Sequence, residues 1–338
     1  MPLVNEFSWS FSRQNTFFEC EKKYWYTYYG SWEGWPRTPY DKRASIDPLA
    51  AYLYSQKQIQ PLVCFVGSCV HKVIEETLKN PFQKPSKTAF CNRGVELFEK
   101  GIQETKEGQW KKAPKKFCNL YEFAFFDPQI AAEPLSKEKE EESKEKIITC
   151  LSNWISSPVG EMVFSERAKI VSVEELQFFY IEGFKILVVI DCALCWKGVK
   201  DTYILFDWKT GKETEQTKEQ LLSYALFAHK ALKVPYEDII LSPYYLFQNQ
   251  YRKIGKGQEI DVQDDELIRL EEKIVTNCRK MTEKPTDDPQ HFPYTTKRYS
   301  CSSCSFKNLC GHLKYENRSK EELQEVVQQE SLTPLYAQ

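Results

Sequence analysis

The chain has 338 residues, of which 41% are hydrophobic and 28% charged, a mixture typical of a globular protein and unlike a disordered or fibrous one. Its formal net charge of −2 argues against nucleic-acid binding driven by overall positive charge, although a local basic groove would suffice. No apolar run approaches about eighteen residues, and Met1–Ser12 lacks a basic segment followed by an apolar one. We therefore expect neither a membrane span nor a secretory signal, and a cytoplasmic protein.

Two helices are predicted near the N-terminus. Ser12 is a suitable N-cap for a first helix that runs through Cys20, within a stretch dense in aromatic residues. Apolar residues at helical spacing then predict a second helix over residues 66–78, which carries His71.

Residues 80–165 are interpreted as a helical insertion. Its charged run, residues 137–146, is typical of a solvated helix face. A basic stretch in the same region, Trp110–Lys116, is a candidate for contact with the phosphate backbone of a nucleic acid.

Three consecutive antiparallel strands are predicted after the insertion, because β-branched and aromatic residues dominate and turn signals separate the runs. The predicted strands are Ile170–Ile181, Phe184–Trp196 and Tyr203–Trp208. A helix follows, for which Thr217 begins a capping-box pattern. A further strand, Ile239–Phe247, and a further helix, Asp264–Met281, complete the predicted elements.

Two acids and a lysine are predicted to meet on this sheet. Asp191 follows the apolar core of the second strand, and Asp207 lies near the end of the third. A hairpin would bring both carboxylates together, and strand alternation places Lys209 on the face of Asp207, with Trp208 on the other face. A hard divalent cation such as Mg²⁺ would satisfy the acids, while Lys209 could orient or deprotonate an attacking water. The alternative is a pair of solvated strand-end acids with a salt-bridging lysine.

Twelve cysteines are many for a chain without a predicted secretory signal, and three of them stand at ligand spacing. Cys301, Cys304 and Cys310 form a C-x2-C-x5-C pattern near the C-terminus. Soft thiolates at this spacing bind zinc or an iron–sulfur cluster, and both usually take four ligands. Cys20 is the first candidate for the fourth ligand, and His312 is the second.

These motifs, taken in chain order, resemble those of the PD-(D/E)XK nuclease superfamily, and more closely those of its RecB-like branch. The resemblance is carried by Gly67-Ser-Cys-Val-His71, Asp191, Asp207-Trp-Lys-Thr-Gly211 and Gln220-Leu-Leu-Ser-Tyr224. It implies that His71, Asp191 and Asp207 bind a metal, Mg²⁺ or Mn²⁺, with the Trp208 carbonyl as a further ligand candidate.

The same resemblance implies the catalytic residues. Lys209 is the catalytic lysine, which acts together with the two aspartates. Gln220 and Tyr224, one turn apart on the following helix, face the active site and hold the DNA strand. Glu174 or Glu175, on the preceding strand, is a further candidate for this site.

A single N-terminal cysteine followed by a C-terminal C-x2-C-x5-C resembles the iron–sulfur nucleases of this branch. These include CRISPR-associated exonucleases and the nuclease domain of AddB. The resemblance implies that Cys20, Cys301, Cys304 and Cys310 bind a [4Fe–4S] cluster that holds the two ends of the domain together. Zinc is the less favoured alternative, since the ligand type fits both.

Basic and aromatic residues flank the first of these cysteines. Lys22 and Lys23 are candidate DNA-binding residues, and with Arg13, Tyr24 and Trp25 they could form a wall for single-stranded DNA. The alternative is that the aromatic residues pack around the cluster.

We therefore expect an α/β fold, a restriction-endonuclease-like mixed β-sheet flanked by helices. Residues 1–312 would form one nuclease domain that includes the insertion, and residues 313–338 a polar tail. The expected function is metal-dependent DNA hydrolysis, by an exonuclease acting on single strands or DNA ends in repair, recombination or CRISPR-type adaptation. No G-x-x-x-x-G-K-[ST] phosphate loop is present, so we expect no helicase motor in this sequence. A helicase or integrase is a candidate partner. The alternatives are a catalytically silent DNA- or protein-binding module and a zinc-containing interaction module.

Overall fold

The computed structural model describes residues 3–38, 45–81, 83–297, 299–311 and 317–337. The helices of this part of the chain are α1 (Phe11–Glu19), α2 (Glu21–Trp25), α3 (Pro48–Gln56), α4 (Leu62–Lys79), α5 (Lys87–Lys106), α6 (Tyr121–Ala124), α7 (Lys137–Ile155), α8 (Pro158–Val163), α9 (Glu215–Leu232), α10 (Asp264–Thr282), α11 (Tyr299–Ser302), α12 (Lys307–Cys310) and α13 (Lys320–Gln329). A π-helical turn, Tyr26–Gly30, continues α2.

The strands form one mixed sheet and one separate hairpin. They are β1 (Ala168–Ser172), β2 (Glu175–Ile181), β3 (Phe184–Ile190), β4 (Cys192–Trp196), β5 (Thr202–Lys209), β6 (Ile239–Tyr245), β7 (Gln250–Tyr251), β8 (Ile254–Gly255) and β9 (Ile260–Asp261). The main sheet has the order β1-β4-β5-β6-β8-β9, with β7 also paired to β6, while β2 pairs only with β3. Strand β4 is antiparallel to both β1 and β5, whereas β5 and β6 are parallel. The predicted mixed α/β architecture is confirmed.

Two of the predicted strands are each divided in two. The prediction Ile170–Ile181 is interrupted at Glu174, which has a φ of 51°, and Phe184–Trp196 is interrupted at Asp191. At both interruptions the chain passes from one sheet to the other. Apolar residues continue on both sides of each interruption because both sheets are buried on at least one face, so periodicity did not reveal the change.

Two predicted helix starts are wrong by a few residues. The N-cap of α1 is Ser10 and not Ser12, since Ser10 Oγ accepts a hydrogen bond of 3.1 Å from the backbone N–H of Arg13. Helix α9 begins after Thr214, so Thr217 lies in its first turn and does not cap it. Serine and threonine can cap a helix but are also accepted within its first turn. The presence of Ser12 and Thr217 therefore did not locate the helix starts.

Two hydrophobic cores lie on opposite faces of the main sheet. Strand β5 sends Leu205 into a core shared with α9, α10 and the β2–β3 hairpin. The alternate residues Phe206 and Trp208 enter a second core built with α4, α5 and α7. The residues predicted as an insertion, 80–165, therefore supply helices that cover one face of the sheet.

The residues predicted as a polar tail contribute a helix to the first core. Leu323 and Val327 of α13 are fully buried, and α13 packs against α3. These residues are four apart, and the polar residues between them face outward, which explains the polar composition.

The predicted boundary at 312/313, and with it His312, lies outside the described residues. Among the helices described, none combines the length and the apolar character needed to cross a bilayer.

Candidate active site

The β4–β5 hairpin brings the two predicted carboxylates together. Cys192 pairs with Phe206 in the antiparallel register, so Asp191 and Asp207 follow at the same end of the hairpin. Asp191 Oδ2 accepts a hydrogen bond of 2.5 Å from the backbone N–H of Trp208, which fixes the first carboxylate beside the strand that carries the second. Both aspartates are buried.

His71 reaches this point from α4. Its Nε2 lies 2.9 Å from the Trp208 carbonyl oxygen, and its Nδ1 lies 3.0 Å from Glu174 Oε1 and 3.7 Å from Asp191 Oδ1. Ligand atoms of His71, Glu174 and Asp191 all lie within 4.8 Å of one another. The two interruptions of the predicted strands thus supply two of the three residues in this group.

A glycine allows α4 to approach the end of β5. A Cβ atom at Gly67 would lie 3.3 Å from Thr210 Oγ1, which is closer than most Cβ contacts. Gly67 precedes His71 by one helical turn, and Thr210 follows Lys209. The missing side chain therefore lets the two motifs touch, and His71 reaches the carboxylates.

A chain of polar contacts leads from the second aspartate to α9. Lys209 Nζ lies 2.9 Å from Asp207 Oδ2 and donates a hydrogen bond of 3.0 Å to Gln220 Oε1. Gln220 Nε2 donates to the Tyr224 hydroxyl at 2.7 Å, and this hydroxyl donates to Asp207 Oδ1 at 3.5 Å. Strand alternation places Asp207 and Lys209 together and sends Trp208 to the opposite core, as predicted.

Burial shifts the protonation equilibria of these groups. It raises the pKa of Asp191 to about 7, against the opposing effect of the His71 ring. It also raises the pKa of Asp207, which the Lys209 ammonium opposes. Burial alone would lower the pKa of His71, but the carboxylates of Asp191 and Glu174 outweigh it and raise this pKa to about 9. Acids and a base shifted in this way within one cleft are typical of functional sites.

The donor set fits a hard divalent cation. Carboxylate oxygens and a backbone carbonyl are ligands suited to Mg²⁺ or Mn²⁺, and of these two ions Mn²⁺ binds an imidazole nitrogen more readily. Asp207 Oδ2 is buried and lies 2.9 Å from the Lys209 ammonium. Several buried carboxylates gathered at one point are costly unless cations satisfy them.

Glu174 has a larger part in this geometry than the sequence indicated. Sequence reasoning named Glu174 or Glu175 as secondary candidates, and only Glu174 joins the group of close ligand atoms. Glu175 instead accepts a hydrogen bond of 3.4 Å from Ser172 Oγ. Strand alternation is the sequence signal that could have separated them. Neighbouring strand residues point to opposite faces of a sheet, so at most one of the two glutamates faces Asp191.

A second site gathers the four predicted cysteine ligands. Cys20, Cys301, Cys304 and Cys310 line one cavity, to which Lys23 also contributes. Cys20 caps α2, where its Sγ accepts a hydrogen bond of 3.4 Å from the backbone N–H of Lys23. Tyr26 lines the same cavity, and its hydroxyl is buried.

The prediction that Lys22 contacts DNA is wrong. Its side chain is fully buried and its ammonium donates hydrogen bonds to Pro289 O and Asn317 Oδ1. Burial lowers the pKa of Lys22 to about 8, against nearby negative charge. Its acceptors lie far along the chain, so local sequence did not reveal that this lysine faces inward.

The proposed aromatic wall beside Cys20 is largely interior. Arg13, Tyr24 and Trp25 are buried, and the Arg13 guanidinium lies 5.4 Å from the centre of the Tyr24 ring. Lys23 is partly exposed and pairs with Glu19 at 2.8 Å. The aromatic residues therefore serve packing, which was the alternative interpretation, while the DNA contact of Lys23 stays a prediction.

Comparison with known proteins places this architecture in a family. No curated protein matches the chain. A family model of the PD-(D/E)XK nuclease superfamily matches residues 8–311, a stretch that begins before α1 and includes both the carboxylate site and the cysteine cavity. Because this match covers most of the sequence, the chain belongs to the PD-(D/E)XK nuclease superfamily.

Proposed function

We propose that this metal-dependent nuclease hydrolyses DNA at the site formed by the β4–β5 hairpin, α4 and α9. The observation that carries the proposal is the meeting of His71, Glu174 and Asp191 with the polar chain from Asp207 through Lys209. A solvated pair of strand-end acids would not need burial or a histidine from another element.

The residues of the site divide into ligands and positioning groups. His71, Glu174, Asp191 and Asp207 would hold Mg²⁺ or Mn²⁺, with the Trp208 carbonyl beside them. When bound, the cation supplies a Lewis acid that stabilises negative charge on the phosphate during hydrolysis.

Lys209 is the general-base or orienting candidate. Asp207 and Gln220 hold its ammonium from two sides, so its nitrogen has a defined position at the floor of the cleft. From there it can orient the attacking water and offset charge on the phosphate. Gln220 and Tyr224 line the same cleft and would position the DNA strand.

The first test is cleavage of end-labelled single-stranded and duplex DNA by anaerobically purified protein with Mn²⁺. Asp207→Ala should reduce cleavage by at least about 100-fold, because it removes a ligand and the partner of Lys209. Asp201→Ala is the matched control, since Asp201 lies in the same hairpin but pairs with Lys197 on the surface. It should cleave like the native protein.

Two outcomes of this test would contradict the proposal. Equal cleavage by Asp207→Ala and native protein would place catalysis elsewhere. Retained DNA binding without any cleavage by the native, folded protein would favour the catalytically silent binding module.

We further propose that the enzyme is an exonuclease that acts on single strands or DNA ends. A helicase or integrase partner would supply this DNA substrate. Linear and circular single-stranded DNA separate the two modes of attack in the same assay. Loss of the linear substrate alone supports the exonuclease, whereas cleavage of the circle would make the enzyme an endonuclease.

We propose a [4Fe–4S] cluster at Cys20, Cys301, Cys304 and Cys310. Four soft thiol ligands around one cavity support it. Zinc is the alternative occupant, since thiolates bind both.

A further inference from the structure

The β2–β3 hairpin has one buried and one exposed apolar face. Its buried face consists of Phe179, Ile181, Ile186, Val188 and Ile190, which belong to the first core. On the other face, Leu176, Phe178 and Tyr180 of β2 are 65%, 52% and 59% exposed. Their cross-strand partners are Val189, Leu187 and Lys185, respectively. An apolar face of this kind on a surface indicates a binding partner.

This face begins at the active site. Strand β2 starts directly after Glu174, and β3 ends directly before Asp191. The near part of the exposed face and the catalytic groups line one cleft; the lining includes Leu176, Leu187, Val189, Lys209, Gln220 and Tyr224. A nucleic-acid strand bound in the cleft would therefore also contact this face of the hairpin.

The cleft has two chemically different walls. Apart from the hairpin residues and Phe11, the lining is polar and includes Asn15, Lys212, Thr214 and Gln216. One wall thus suits a phosphate backbone, and the apolar wall suits bases.

The far end of the face borders charged residues of both signs. Tyr180 lines a pocket together with Lys230, Lys233 and Lys256, and also with Glu237 and Asp264. Lys185 also places its ammonium 4.7 Å from the centre of the Phe178 ring. From Leu176 to Tyr180 the strand rises about 13 Å, so the face is long enough for more than one nucleotide.

We infer that the exposed face of β2–β3 is a platform on which bases of single-stranded nucleic acid stack as the strand enters the catalytic cleft. The inference rests on the proposed nuclease function and adds how the substrate is held. Aromatic rings bind unpaired bases without regard to sequence, while a duplex keeps its bases inside. A protein partner or a second copy of the chain on this face would cover the wall of the cleft and block it.

The test is fluorescence anisotropy of a short oligothymidylate in the absence of divalent cation. Phe178→Ala and Tyr180→Ala should each weaken binding about 10-fold, and the double variant more. Phe178→Leu with Tyr180→Leu keeps an apolar surface without rings, so it should weaken binding too. Ile268→Ala removes an exposed apolar side chain from α10 and should bind like the native protein.

An abasic oligonucleotide of the same length separates stacking from contacts with the backbone. It should bind weakly and equally to native and double-variant protein, because it has no bases to stack. Unchanged affinity of the double variant for oligothymidylate would overturn the platform. A change of oligomeric state in that variant, with unchanged affinity, would assign the face to a second copy and overturn it as well.

The platform and the nuclease function can fail separately. Binding without a divalent cation does not depend on hydrolysis, so ring-dependent binding by a protein that never cleaves would support the platform and remove the nuclease proposal. Cleavage by a protein whose binding ignores the rings would do the reverse.

Discussion

At the residue scale, Glu174 is the feature that favours a cation site over two incidental aspartates. It comes from a backbone position with positive φ, which is unfavourable for glutamate, and it contacts His71 at 3.0 Å. Strained backbone of this kind persists where the surrounding structure holds it, and it is frequent at functional sites. This backbone conformation brings the Glu174 carboxylate to the ligand atoms of His71 and Asp191.

We predict that Glu174→Gln weakens Mn²⁺ binding about 10- to 100-fold, because an anionic oxygen ligand becomes a neutral amide. Isothermal titration with Mn²⁺, and the Mn²⁺ concentration that gives half-maximal cleavage, measure the change. Glu175→Gln is the control, since its carboxylate faces Ser172 instead. Equal weakening by both variants, or native Mn²⁺ affinity in Glu174→Gln, would remove Glu174 from the ligand set.

The sequence predicted which residues of the candidate site lie together better than it predicted their surroundings. His71, Asp191, Asp207 and Lys209 could be named because each belongs to a short motif, and strand alternation gave the correct side for Lys209. The burial of Lys22 could not be predicted, because its hydrogen-bond acceptors lie near residues 289 and 317. Contacts at that sequence distance leave no local pattern.

At the element scale, packing of α5 against α7 supports the helical layer behind Trp208. Gly94 lies at their contact, and a Cβ atom there would lie 2.5 Å from Leu151 Cδ1 and 2.6 Å from Ile147 Cγ2. The two helices can approach closely only because this position lacks a side chain.

We predict that Gly94→Ala lowers the free energy of unfolding by roughly 1 kcal/mol. Overpacking costs about 1–3 kcal/mol, and the better helix propensity of alanine returns up to about 1 kcal/mol. Urea denaturation measures the difference. Asn92→Ala, on the exposed side of the same helix, gains propensity without a clash and should be neutral or stabilising. A Gly94→Ala protein as stable as the native one would show that α7 can move away.

The element boundaries show where periodicity stops being informative. It located α4, α10 and β6 to within a few residues. It joined β1 to β2 and β3 to β4, because apolar residues continue where the chain changes sheets. Glu174 and Asp191 lie at those junctions, so the least predictable part of the fold also supplies two residues of the candidate site.

At the scale of the whole molecule, the cysteine cavity connects the two ends of the chain. Cys20 lies between α1 and α2, whereas the other three cysteines lie near α11 and α12. A cluster bound there closes a loop of almost the whole domain, so its loss should loosen the fold and not only the cavity.

We predict that Cys304→Ala loses the visible absorbance and most of the iron of anaerobically purified protein, and unfolds at a melting temperature several degrees lower. Iron and sulfide analysis, absorbance and thermal denaturation measure these effects. Cys64→Ser is the control, since Cys64 is an exposed free cysteine outside the cavity. A colourless native protein with stoichiometric zinc would replace the cluster by zinc.

The position of the β2–β3 hairpin has a consequence for cooperativity. The chain leaves the main sheet before Glu174 and returns to it after Asp191, so residues at both ends of the hairpin could bind one cation. An ion bound by both would join the base of the hairpin and restrict its angle to the main sheet. Loading of the ion and docking of a strand on the hairpin would then be reciprocally linked, each raising the affinity for the other by the same factor.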